Sequence, residues 1–131
     1  KKLMKMASAN VTFLGWESDV QLRIWYSHCS ALLFPGEEDF GIVPVEAQAC
    51  GSPVIAYAKG GATETVINRV TGVLYQRQTK EDLIEAIALH ETLVYDKNQI
   101  IANAGRFSKE IFIKRFRAHI DSLVDKREKQ C

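Results

Sequence analysis

Several things that would each announce a class of protein are scarce in this chain. Its cysteines, Cys29, Cys50 and Cys131, are an odd and widely spaced set with no C-x-x-C pair. That argues against a disulfide framework or a metal finger, and for reduced thiols in a cytosolic protein. Neither sign of charge is in excess: 17 Lys and Arg against 16 Asp and Glu leave a formal net charge of +1. Such a balance gives no electrostatic footprint for nucleic acid. No apolar run approaches the ~20 residues of a membrane span, and no signal peptide is recognisable. His28, His90 and His119 lack carboxylate or cysteine partners at useful spacing and are read as surface or packing residues. What remains is 131 residues, 47% hydrophobic and 25% charged, opening on Lys1-Lys2-Leu3 inside an apparent helix. That is the composition of one ordinary globular domain at most, long enough to bury a core.

Local pattern predicts alternating strands and helices. Residues 1–8 read as the end of a helix, and Val11-Thr12-Phe13-Leu14 as a short strand closed by Gly15. Ser18 or Asp19 caps a helix that ends near Cys29-Ser30. The unbroken apolar run Ala31 to Phe34 is expected of a strand buried on both faces. A strand at Pro53 to Tyr57 follows a helix that stops at Gly51, a left-handed cap. Lys59-Gly60-Gly61-Ala62 reads as a flexible loop, with Thr63 capping a single helical turn, Glu64 to Ile67. Val73-Leu74-Tyr75 is the last strand. Three helices follow, opened by Thr79 (an imperfect capping box with Asp82), Asp96 and Ser108. Phe112, Phe116, Ile120 and Leu123 or Val124 recur at helical spacing on the last helix, and residues 126–131 form a charged tail. This order predicts an α/β fold with a Rossmann-like, doubly wound parallel sheet and C-terminal helices. Ligands of such sheets sit outside the carboxyl ends of the strands. The loops at Gly15, at Gly36 to Gly41 and at Lys59 to Ala62 are therefore expected on one rim.

The stretch Phe34-Pro35-Gly36-Glu37-Glu38-Asp39-Phe40-Gly41-Ile42-Val43-Pro44-Val45-Glu46 concentrates the chemistry. It runs from a strand, through a glycine-containing loop, to a helix with Pro44 just inside its start. Unpaired N–H groups and the positive end of a helix dipole then point at one place. Glu38 and Glu46 flank it with seven residues between them. Donors for an anion beside acceptors for hydroxyls suit a ligand that is part phosphate and part sugar. Glu46, placed in the first helical turn, suits the vicinal hydroxyls of a ribose. Glu37 and Asp39 read as solvated loop charges.

Those residues, with Phe13-Leu14-Gly15, the run Pro35 to Ile55, and Gly60-Gly61 followed by Glu64, resemble the retaining glycosyltransferases of family 4. The resemblance, from about Val11 to the end of the chain, is to the C-terminal, donor-binding domain of their GT-B fold, part of which residues 1–125 would form, and Glu38 to Glu46 matches the family's E-x7-E motif. It implies that Glu46 holds the ribose, and that Glu38 lies beside the transferred sugar as the catalytic carboxylate. The backbone N–H groups of Phe40, Gly41, Ile42 and Val43 would face sugar and diphosphate oxygens, with Gly41 permitting close approach. Small Ala47 and Ala49 would let the helix pack near the sheet, and the loop from Gly15 would meet the base through backbone groups.

The implied activity is transfer of a sugar from a nucleoside-diphosphate sugar to an acceptor hydroxyl, in polysaccharide or glycoconjugate synthesis. The string around Glu38 and Lys59 looks mannosyltransferase-like, which points to a GDP-sugar as donor. No cofactor and no metal site are expected. The partners implied are the donor and an N-terminal acceptor-binding domain lying outside this chain, with no nucleic acid. The family's upstream Arg and Lys pair and two further strands also lie outside it. The fragment is therefore expected to be inactive alone, with a gap in its sheet and exposed strand edges. A cytoplasmic location is implied, with the full enzyme at the inner membrane face. The Lys114-Arg115-Arg117 cluster itself reads as a solvated helix face. Alternative readings are a GT-B-fold nucleotide-sugar epimerase or phosphorylase, a retaining glycosidase, and a non-catalytic nucleotide-sugar binding module.

Overall fold

A computed structural model describes residues 2–128, with side chains described for 2–124. Helix α1 (Lys2–Met6) leads into an irregular segment and then α2 (Asp19–His28). The alternating part is β1 (Leu32–Phe34), α3 (Ile42–Ala49), β2 (Val54–Tyr57), α4 (Ala62–Thr65) and β3 (Gly72–Tyr75). Helices α5 (Lys80–Thr92), α6 (Lys97–Gly105) and α7 (Lys109–Glu128) finish the chain. The expected tail at 126–131 is helical as far as Glu128, and residues 129–131 lie outside the described residues.

All three strands run parallel in the order β1-β2-β3, with Leu32 opposite Val54 and Val54 opposite Gly72. Alternation along the strands divides the core in two. Val54 and Ala56 of β2 point to one face, against Ala47 of α3 and Ala62 and Val66 at α4. Ile55, Val73 and Tyr75 point to the other, against Ala86, Leu83 and Ile87 of α5. Both faces thus carry helices, as a doubly wound sheet requires. Helix α6 returns to pack on α3, and Ile100 is buried there.

Four local expectations are corrected. Residues 11–14 form no strand; Val11, Phe13 and Leu14 lie largely exposed, and among the described residues no strand pairs with them. β propensity is chiefly a preference for a packed, pleated surface, and here that surface is missing. Strand β1 is not buried on both faces, because α5 covers β2 and β3 and leaves Leu33 47% exposed. The turn at α4 starts earlier than expected, with Gly61 at its cap and Thr63 inside it, bonding back to the Gly60 carbonyl. The Lys59 to Ala62 loop is held, not flexible: Gly61 N–H donates to the Glu38 carbonyl at 2.8 Å and Lys59 pairs with Glu37 at 3.1 Å.

The caps behave as their residue types dictate. Ser18 accepts from Gln21 N–H, Asp96 from Asn98 N–H and Ser108 from Ile111 N–H. Thr79 accepts from Asp82 N–H, while the Asp82 carboxylate accepts from the Thr79 hydroxyl at 3.1 Å and the Arg77 guanidinium at 2.7 Å. Gly51 takes φ +85° just past α3. Helix α7, about 30 Å long, leaves Phe112, Phe116, Ile120, Leu123 and Val124 exposed.

Candidate functional site

The segment between β1 and α3 folds into the wall of an open cleft of ≈ 760 Å³, lined by residues 37–43 and Glu46. Helix α3 begins at Ile42, with Gly41 as its N-cap at φ +78° and no side chain capping it. Among the described residues, the N–H groups of Phe40, Gly41, Ile42 and Val43 donate to no protein acceptor. Pro44, third in the helix, has no N–H to leave unpaired. The helix therefore presents a bare N-terminus to solvent, with the positive end of its dipole.

Gly41 is required by its own backbone conformation, whatever approaches it from the cleft. A Cβ there would meet nothing nearer than Pro44 at 3.5 Å, an ordinary contact, but the left-handed φ penalises any L side chain. The neighbouring pair does provide close approach. A Cβ on Gly61 would overlap the Phe40 carbonyl, and one on Gly60 the Glu38 carbonyl oxygen. These two glycines let the loop after β2 lie flat against the backbone of Glu38 and Phe40. Two of the three loops expected on one rim do meet there. Gly15, with φ +76°, has open space around it and borders none of the hollows described here.

Glu46 is the fifth residue of α3, in its second turn rather than the first, because the helix starts two residues before Pro44. The dipole effect fades within the first turn, so it does not hold this carboxylate. Instead Glu46 faces outward, bordering both the cleft and a second hollow. That second hollow is a groove of ≈ 470 Å³ between α2 and α3, lined also by Asp19, Arg23, Tyr26 and Cys50. Burial, then the Glu46 carboxylate and the Cys50 and Cys29 thiols, push the Tyr26 phenol above its ordinary pKa. Its O–H therefore stays a neutral donor. Of the two small residues, Ala47 is fully buried on the sheet, whereas Ala49 is exposed on the groove side beside Glu46.

A polar network beneath the helix escaped the sequence reading. Gln48, fully buried, donates to the Pro44 carbonyl at 3.1 Å and the Thr65 carbonyl at 2.9 Å. Asn103 donates to Gln48 Oε1 at 2.7 Å and to the Thr65 carbonyl at 2.8 Å, and its own oxygen accepts from Arg106 at 2.7 Å. Thr65 Oγ1 closes the circuit on the Gly61 carbonyl at 3.0 Å. The bare end of α3 is thus tied to α4, α6 and the Gly61 loop. The available signal was Gln48 itself, a polar residue four positions after Pro44 and beside Ala47 on the inward face.

A parallel sheet, a bare helix N-terminus at the end of its first strand and a carboxylate on that helix coincide with the family comparison. The family described as "Glycosyl transferases group 1" matches residues 2–107. The chain belongs to this family. Among curated relatives, a D-inositol 3-phosphate glycosyltransferase of Segniliparus rotundus is 36% identical over 106 residues, covering 77% of this chain and 24% of that protein. Another of that description, from Kribbella flavida, is 45% identical over 68 residues, or 51% of this chain and 16% of its own length. The chain therefore spans a quarter or less of these relatives. Among solved structures, the apo lipopolysaccharide outer core galactosyltransferase WaaB superposes with a TM-score of 0.73 at 23% identity, over 83% of this chain and 32% of that one. Sucrose-phosphate synthase from Thermosynechococcus elongatus gives 0.61 at 28% identity, over 92% and 31%. The fold is that of GT-B glycosyltransferases.

Proposed function

We propose that this chain is the donor-binding part of a retaining family 4 glycosyltransferase, moving mannose from a GDP-sugar to an acceptor hydroxyl. The observation that carries the reading is the cleft itself. Four unpaired N–H groups at residues 40–43 sit with the Glu38 and Glu46 side chains along one hollow. Charge that develops on the leaving diphosphate meets donors already oriented by α3, so no reorganisation is needed when the sugar–phosphate bond breaks. Glu46, exposed and free of ion pairs among the described residues, accepts from the ribose hydroxyls. Glu38 stands beside the transferred sugar, its backbone fixed by the Gly61 bond. The acceptor side and further basic groups for the phosphates belong to polypeptide beyond this chain. The whole enzyme works in the cytoplasm, at the inner membrane face when its acceptor is membrane-borne.

The test is incubation of the full-length protein with GDP-, UDP- and ADP-sugars and a hydroxyl acceptor, with the anomeric configuration of the product read by NMR. Transfer with retention from GDP-mannose is expected. An isomerised free sugar nucleotide would mark an epimerase, and absence of both nucleotide binding and turnover would end the proposal.

A further inference from the structure

We infer that Phe107 is a positioning residue of the donor site. Its ring, braced by Arg106, fixes the backbone of Phe40 and so the direction of the N–H groups that face the leaving diphosphate. The assignment rests on the donor-site reading above. Phe40 carries the first of the four unpaired N–H groups and precedes Gly41, the N-cap of α3. Its carbonyl lies against Gly61 and shares a planar peptide with Gly41 N–H, so that contact fixes the second donor. The N–H of Phe40 itself turns about φ, which only its side chain can restrain from outside. There the Phe107 ring meets it edge-on, with centroids 5.6 Å apart and planes at 76°. That is a preferred geometry for two aromatic rings, positive edge toward negative face.

Phe107 is itself anchored. Just past the end of α6 its N–H donates to the Ala104 carbonyl at 3.0 Å, and its ring is half-buried. The Arg106 guanidinium lies over that ring, 5.3 Å from its centroid, and donates to Asn103 Oδ1 at 2.7 Å. Asn103 is buried and bonds to Gln48 on α3, which in turn holds the Pro44 carbonyl. The contacts thus form a closed circuit, from Phe40 through Phe107, Arg106, Asn103 and Gln48 back to the first turn of α3. Phe107 and Phe40 close it by ring packing. Among the described residues the cleft is lined by 37–43 and Glu46, so Phe107 reaches the substrate only through Phe40. Donors preorganised toward developing charge act chiefly in the transition state. Loosening them therefore lowers kcat more than it weakens binding of the sugar nucleotide.

Steady-state transfer by the full-length protein, with sugar nucleotide and a hydroxyl acceptor, tests this. Phe107→Leu keeps apolar bulk but no ring edge, and is expected to lower kcat by about 10- to 100-fold, the worth of a small misplacement of positioned groups. KM for the sugar nucleotide should stay within about threefold, since ground-state binding is not what the ring serves. Phe107→Tyr keeps the ring and should retain kcat within about threefold. Wild-type kcat in Phe107→Leu would overturn the inference. A raised KM at unchanged kcat would do so too, as would a loss in the tyrosine variant equal to that in the leucine one. Urea unfolding identifies a folding defect in Phe107→Leu. In that event Arg106→Met, at an exposed position, decides. It should lower kcat by about 3- to 10-fold, the worth of an exposed cation–π contact and the hydrogen bond anchoring it, and an unchanged kcat would overturn the inference. Absence of both transfer and nucleotide binding in wild type would instead overturn the donor-site reading itself.

Discussion

Replacing Gly61 by alanine isolates the packing that places the donor loop. The backbone at Gly61 is φ −60°, ψ −21°, a conformation every residue adopts, so no torsional penalty arises. On conformational grounds alone Gly61→Ala would stabilise by about 0.4–1 kcal/mol. Against that, the new methyl overlaps the carbonyl of Phe40, a backbone group with no rotamer to escape into. Relief requires separating the two loops, which breaks the 2.8 Å bond from Gly61 N–H to the Glu38 carbonyl. A lost hydrogen bond costs about 1 kcal/mol and overpacking about 1–3 kcal/mol. The net is a destabilisation of about 1–3 kcal/mol by the same principles, together with a displaced cleft wall. Urea unfolding and nucleotide titration of the full-length variant read both effects. A variant as stable as wild type that binds nucleotide normally would refute the claim that this contact sets the loop.

The other expectations follow from the same geometry. Gly41→Ala, where space is free but φ is +78°, should cost about 1–2 kcal/mol in urea unfolding, from backbone strain alone. Glu46→Gln should leave stability within about 0.5 kcal/mol yet weaken nucleotide binding by about 1.5–3 kcal/mol, measured by calorimetry. Gln48→Leu removes one of the two acceptors of the buried Asn103 amide, leaving one N–H unpaired, and should destabilise by about 1–3 kcal/mol in urea unfolding. Asp82, held below its ordinary pKa first by its hydrogen bonds from Arg77, contributes stability above the unfolded carboxylate value of about 4. That contribution is lost as pH falls through the depressed value, so Asp82→Asn should flatten the acid limb of the stability profile.

The β1–α3 segment was legible because each of its signals is local. A glycine with forced φ, a proline in a first turn and a carboxylate at fixed spacing need no distant partner to be recognised. The strand expected at Val11 to Leu14 failed because a strand is completed by its neighbour, and propensity says nothing of whether one is there. Glu46 lies two residues deeper in its helix than its sequence suggests, since Pro44 is tolerated anywhere in the first turn and bounds the helix start without fixing it. Gln48 and Asn103, 55 positions apart, meet only in the folded chain. Ser18 and Asp19 are equally plausible caps in sequence, and the backbone decides for Ser18, which accepts from Gln21 N–H.

The central claim is that the bare end of α3 holds a nucleoside diphosphate. Amide ¹H–¹⁵N spectra of the full-length protein, labelled selectively at phenylalanine, glycine, isoleucine and valine, test it most directly on titration with GDP. The account predicts that the Phe40, Gly41, Ile42 and Val43 amides shift downfield and saturate with the calorimetric affinity. Saturable binding that leaves these four amides unmoved would contradict it.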